Sequence, residues 1–438
     1  MTSTSRIPEK LALKILFLLS LIYVFFSLGL ERSFREFSYL LFILIIAYTI
    51  KYQRQLFKTP PFYFLIAATL IAVITWLLTF WQVPNIGSSS PRLGEILDKF
   101  SFLPLAVLLM GNTKRTFVFW IVAAIGALLT PWFSGNGLTE IKAAYNGLRT
   151  GFGGHIITMG IVYSTIAIAC LVFYKRFFYH TKKPWGYILW FLLLACTCFG
   201  IYASQTRSIY LGIFTLYALS SITILYLALN SWRTYRSTTL FFILTSAIFI
   251  TIAYVLQSQG FFDPLIAKIE HEESVFWLLL SGNLDAIPKN SSGLRIHFWI
   301  EAYHWILERP WTGWGAEANK DMHLLAGNYF GNRPFITVHN DLLDILLAYK
   351  LLGAIFYTSL ITWLTKETYL IWKKGLIGTD LFVFFLLFLL FFLLNGIFMS
   401  LLFFRETVFL WNVVLAGFLG FILKHKYIKN STSENDTN

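Results

Sequence analysis

Charge is scarce in this chain. Of its 438 residues only 13% are Asp, Glu, Lys or Arg, whereas 57% are hydrophobic and the mean hydropathy is +0.65. One soluble core cannot hide that much apolar surface, so a water-soluble globular protein is excluded. Cysteine is nearly missing too. Cys170, Cys196 and Cys198 all fall in apolar runs, and the Cys196/Cys198 pair has no nearby histidine or acid to complete a metal shell. They read as small buried hydrophobes rather than as a metal site or a disulfide. The two-residue alternation of a barrel strand is absent. So is a small-residue cleavage site after the first apolar run, which continues through Leu30 and reads as a first span rather than a removed signal.

What is present is a series of apolar runs, at about 11–30, 37–50, 62–81, 96–111, 116–134, 156–174, 185–203, 208–229, 240–256, 343–364, 380–403 and 407–423. A hydrocarbon layer of roughly 30 Å needs about 20 such residues as a helix, so the second and fourth runs must be short or tilted. The expectation is an all-α polytopic membrane protein of about twelve transmembrane helices. Spans one to nine occupy residues 1–256, a large periplasmic helical loop domain 257–340, spans ten to twelve 341–425, and a disordered cytoplasmic tail 426–438.

The +13 formal charge follows the same plan. Basic clusters at Lys51/Arg54/Lys58, Lys114/Arg115, Lys175/Arg176/Lys182/Lys183, Arg233/Arg236, Lys366/Lys373/Lys374 and Lys424/Lys426/Lys429 recur in every second connection. Twelve crossings with both termini cytoplasmic put all of them on the cytoplasmic side. On the other side basic residues come with acids, as in Arg92 and Lys99 with Glu95 and Asp98. The excess charge is topological, and nucleic acid is not an expected partner.

From about Gln257 to Thr337 no run is long enough to span, yet Trp, His, Arg and Glu are dense. Helical spacing runs through DPLIAKIEHEESVFWLLL and SGLRIHFWIEAYHWILERP, the second stopped by Pro310, Gly313 and Gly315. GAEANKDMHLLAGNYF reads as a further short helix. Glu270, Glu272 and Glu273 form a solvated helix face, and no DxD pair suited to a divalent metal stands in the outer loops.

Arginines on the outer side run against the positive-inside bias and are therefore informative. Arg149 lies in NGLRTGFGGH, a glycine-rich turn whose backbone N–H groups can form an anion nest; an interfacial arginine reaching to headgroups is the plainer reading. Arg207 follows Gln205 in YASQTRSIYL, where a hairpin this short holds the guanidinium at the interface and leaves it in need of an anion. Arg295 opens an amphipathic helix in SSGLRIHFW, and a helix N-terminus with a guanidinium suits phosphate. His339 heads HNDLLDIL. Its imidazole can take a proton from a sugar hydroxyl or bind a phosphate oxygen, and Asn340 or Asp341 can cap the following span and fix where it points. Arginines with one histidine suit a diphosphate neutralised by protein.

Three stretches resemble the bacterial O-antigen ligases, which are grouped with O-antigen polymerases and protein O-oligosaccharyltransferases in the Wzy_C superfamily. SQTRSIYLG is similar to that family's Ser/Thr-x-x-Arg hairpin. GLRIHFWIEAYHWILERPWTGWGAEAN is similar to its R-x3-W…P-x2-G-x-G-x3-N segment, and HNDLLDILLAYKLLGAI to its His-Asn span opening. The resemblance implies transfer of a glycan from undecaprenyl diphosphate to a sugar hydroxyl of lipid A-core, at the periplasmic face of the inner membrane. It needs neither metal nor other cofactor, and a single displacement inverts the anomeric centre. On that reading Arg149, Arg207 and Arg295 hold the diphosphate, and His339 acts on the acceptor hydroxyl as base or orients it. On the same reading Trp311, Trp314 and Tyr329 stack on sugar faces, although in a chain that is 18% aromatic packing or an interface place is the plainer reading of any one of them. A polymerase is the nearest alternative, and a protein O-oligosaccharyltransferase of the same superfamily is another. A lipid-glycan transporter is a more distant one, since its ionisable residues belong in mid-span.

Overall fold

A segment that cannot reach water must satisfy its own backbone N–H and C=O groups, and so the apolar runs fold as helices. In the computed structural model they form α1 (Arg6–Phe26), α2 (Glu31–Tyr52), α3 (Pro60–Gln82), α4 (Leu93–Lys99), α5 (Phe102–Leu109), α6 (Thr113–Phe133), α7 (Gly137–Tyr145), α8 (Ile156–Val172), α9 (Tyr174–Tyr179), α10 (Pro184–Ser204) and α11 (Arg207–Ser258). After a long connection come α12 (Ser291–Glu308), α13 (Ala318–Leu325), α14 (Asp341–Lys373), α15 (Thr379–Gly396) and α16 (Arg405–Leu423). A two-residue hairpin, β1 (Tyr329–Phe330) with β2 (Arg333–Pro334), precedes α14. The structure describes residues 6–428 except 134–136, 180–183, 259, 261–262, 264–274, 276, 310 and 331. Glu270, Glu272, Glu273, Pro310 and most of the tail therefore lie outside the described residues.

Among the described residues seven helices are long and apolar enough to cross a membrane: α3, α6, α10, α11, α14, α15 and α16. The protein is thus an all-α polytopic membrane protein. Helix α11 is itself a hairpin. Ser231 leaves helical geometry (φ −155°, ψ 61°), and Tyr217 and Phe242, on its two sides, stack at 5.2 Å. A straight helix would hold those rings roughly 37 Å apart at 1.5 Å per residue. The eighth and ninth apolar runs are its two limbs.

The fourth run is broken into α4 and α5, and the break is held by a side chain from α16. The Asn412 amide donates to the Asp98 carbonyl at 2.7 Å, and its oxygen accepts from the Phe102 N–H at 2.8 Å. Helix α16 is the centre of the bundle, buried along its length, and Gly417 allows Trp120 of α6 to lie flat against it. At one rim Arg176 pairs with Asp380 and Lys426 with Glu367.

At the opposite rim a second apolar cluster caps the bundle. It joins Phe298, Ala302 and Ile306 of α12 with Trp314, Ala318, Met322, Val338 and Leu347, and Leu343 and Leu346 pack against it. The first turns of α14 therefore belong to this second layer, and the helix breaks at Lys350 (φ 50°, ψ −139°). A broken helix leaves carbonyls without partners, and the Gly-Trp-Gly stretch supplies them. Trp314 N–H donates to the Leu347 carbonyl and Gly315 N–H to the Ala348 carbonyl, both at 2.9 Å. Gly313 (φ +69°) must be glycine here, because a Cβ would sit 2.6 Å from the Ala348 oxygen.

A candidate active site at one rim of the bundle

Helix α12 starts at Asn290, whose side chain accepts from Gly293 N–H at 2.8 Å. Arg295 and Trp299 lie four residues apart and share a face. The Trp299 indole donates to the Val338 carbonyl at 3.0 Å, which fastens the residue before His339 to the helix that carries Arg295. Phe298, buried beside them, packs against His323 at 4.4 Å, Phe335 at 4.8 Å and the His339 ring at 6.3 Å. The fully buried His323 holds the preceding carbonyl, with Nε2 2.9 Å from the Thr337 oxygen. Burial pushes its pKa down to about 4 against that hydrogen bond, so it is a neutral ring donating from Nε2.

His339 itself adopts the left-handed conformation, φ +56°, which turns the chain sharply into α14. Asn340 caps that helix, accepting from the N–H groups of Leu342 and Leu343 at 3.0 and 3.1 Å. Asp341 does a different job. Its buried carboxylate accepts from the Leu402 N–H at 2.9 Å and ties the 397–404 connection between α15 and α16 to the start of α14. The His339 Nδ1 lies 3.3 Å from Met399 Sδ on that connection. Burial, then Arg295, then His155 and His323, push the His339 pKa down to about 3, so the imidazole is neutral at neutral pH.

Asp344 organises these parts. Its carboxylate accepts from the Val338 N–H at 3.1 Å, from the Asn319 amide and from the Ser400 hydroxyl. The asparagine that ends the G-x-G-x3-N pattern thus reaches the turn before His339 through this acid. Removing the carboxylate strands three buried donors, each costing about 1–3 kcal/mol. Asp344→Ala should insert but melt clearly below the parent in detergent. Equal melting temperatures and equal activity would show that the network does not position His339.

The second half of the rim comes from the turns before α8 and α11. Gln205 (φ 43°) makes the tight reversal between α10 and α11, and its amide donates to the Gly147 carbonyl at 2.7 Å. Arg149 lies over this reversal, donating to the Ser204 carbonyl at 2.7 Å and the Thr206 hydroxyl at 3.1 Å. Burial and then the neighbouring Arg207 pull its pKa below the ordinary value. Two guanidiniums within electrostatic reach of each other favour an anion between them. His155 closes the same glycine-rich turn and caps α8 by position. Its N–H donates to Glu406 at 3.2 Å and its ring stacks on Phe404 at 4.6 Å.

Interactions therefore run from Arg207 to Arg149, from Arg149 to His155, from His155 to His339 and from His339 to Arg295. The three aromatic residues fall elsewhere. Trp314 is 8% exposed, its indole donates to the Trp305 carbonyl at 2.7 Å, and Arg309 and Trp305 lie against its ring. That is a packing position, the plainer of the two readings for this ring. Trp311 and Tyr329 are exposed at 72% and 48%, and no described contact joins either to His339. Sequence reasoning missed His155, Asp344 and the 397–404 connection. The first ends a stretch singled out for its arginine, and the second is an acid inside an apolar run.

Fold and rim together define a polytopic helical membrane protein with an arginine and imidazole site at one end. Residues 190–358 match the family model for O-antigen ligase, Wzy_C, a span that holds Arg207, Arg295, the Gly-Trp-Gly stretch and His339. The match covers less than half of the chain and supports a place in that superfamily, whose members are membrane glycosyltransferase-like ligases and polymerases. No curated protein matches the sequence. Arg149, His155 and the 397–404 connection lie outside the matched segment.

Proposed function

We propose that the protein is an O-antigen ligase of the bacterial inner membrane. It moves a glycan from undecaprenyl diphosphate to a sugar hydroxyl of lipid A-core, with the site on the periplasmic face and both termini cytoplasmic. The observation that carries this reading is the run of interactions from Arg207 through Arg149, His155 and His339 to Arg295, which gathers residues from distant segments at one rim. Arg149, Arg207 and Arg295 hold the diphosphate, and charge-assisted hydrogen bonds to its oxygens stabilise it as a leaving group. The acceptor oxygen attacks the anomeric carbon from the opposite side, inverting it, while His339 orients or deprotonates the hydroxyl. A membrane-held donor and a water-exposed acceptor sugar meet only at such a rim, and the guanidinium set takes the place a divalent metal would have.

Purified protein given carrier-linked glycan and lipid A-core in the presence of EDTA should join the two. Glycan lengthened on the carrier with bare core would identify a polymerase instead. Activity lost to the chelator and restored by Mg²⁺ would refute the metal-independent scheme.

A further inference from the structure

Two of the described histidines hold backbone. His323 and His297 each have Nε2 on a carbonyl, of Thr337 and Ile287 respectively. His155 does not. Among the described residues its ring nitrogens have no hydrogen-bond partner, and its fixed contacts are the stack on Phe404 and the backbone bond to Glu406. It is also exposed, at the end of a turn whose Arg149 points to the same rim. The 397–404 connection brings it to His339, since Met399 near one end touches the His339 ring and Phe404 at the other carries the His155 ring.

We propose that His155 is the catalytic residue that accepts the acceptor hydroxyl's proton, and that His339 orients that hydroxyl. This rests on the glycosyl-transfer reading above. The acceptor oxygen bonds to the anomeric carbon and its O–H bond breaks, the proton going to a His155 nitrogen and from there to water. The bond from anomeric carbon to diphosphate oxygen breaks, and its electron pair stays on the diphosphate. Of the two rings His155 is the more exposed and can hand a proton onward, whereas His339 is enclosed by Phe298, Phe335 and Met399. Partial burial of the ring lowers the His155 pKa; of the charged groups facing it, Glu406 of α16 favours the protonated ring and Arg149 opposes it.

The test uses the full-length protein in the transfer assay. His155→Phe keeps a ring on Phe404, so the fold should hold, with kcat down by about 10²–10⁴-fold and the KM for carrier-linked glycan within about threefold of the parent. His155→Ala should lose as much and regain part of it when imidazole is added. Transfer by His155→Phe within about threefold of an active parent overturns the inference and leaves the functional reading intact. A parent that transfers no glycan overturns both.

Discussion

His339→Ala protein should insert and purify as the parent does, yet transfer glycan more slowly by about 10²–10⁴-fold, the usual reach of one positioned acid–base or orienting group. The fold should survive because the turn is held by its backbone and neighbours. Trp299 takes the Val338 carbonyl, Asp344 the Val338 N–H, and Asn340 caps the helix that follows. His339→Asn is the companion variant, since asparagine tolerates the positive φ at this position. If both lose transfer while still binding carrier-linked glycan, backbone strain is not the cause; if either keeps full activity, His339 has no part in the chemistry. The same residue affects stability at low pH. Its ring titrates at 6.5 when unperturbed and at about 3 in the folded protein, so folding favours the neutral form. The stability this contributes is complete above pH 6.5 and is lost as pH falls from there toward 3, because the unfolded chain binds a proton that the native ring refuses. His339→Asn should therefore melt with a flatter acid limb than the parent.

Much of the architecture was legible because hydropathy reports the solvent directly. Each of the twelve apolar runs contains helix, and the eighth and ninth are two helical limbs that meet at Ser231. Two breaks were not legible. The interruption at Phe100 depends on Asn412, more than three hundred residues later, and the kink at Lys350 depends on donors from Trp314 and Gly315. Local sequence shows an apolar run in both places; only the tertiary partner makes a break affordable. The G-x-G stretch was visible as a helix stop, but its second task, satisfying α14, requires knowing what lies across from it.

The rim was legible in proportion to how unusual its chemistry is for its place. An arginine in a four-residue hairpin or a histidine before a span stands out against the charge pattern. Asp344 does not, because an acid inside an apolar stretch has no visible partner until Val338, Asn319 and Ser400 are seen around it. Trp314 is the converse case, because nothing local decides between its two readings. Gly313 lets the backbone approach α14, and the ring beside it is buried.

Arg295→Lys is the sharper probe of the diphosphate site, and transfer should fall by about 10²–10³-fold, the cost of losing one positioned donor to developing negative charge. Lysine has nearly the helix propensity of arginine, so α12 should form unchanged. The Trp299 bond to Val338, one turn along, does not involve the substituted side chain. Positive charge beside His339 also survives, so its ring stays neutral and its role is undisturbed. What disappears is the planar fork, which can give two parallel N–H donors to a diphosphate where an ammonium gives a point charge. The measurement is kcat and KM for carrier-linked glycan in the purified assay. A fall in kcat with nearly unchanged KM places the bidentate contact in the transition state, as the bond to the carrier breaks. A rise in KM alone would mean that Arg295 serves binding and not departure, and parental kinetics would remove it from the diphosphate site, leaving Arg149 and Arg207 to hold the leaving group by themselves.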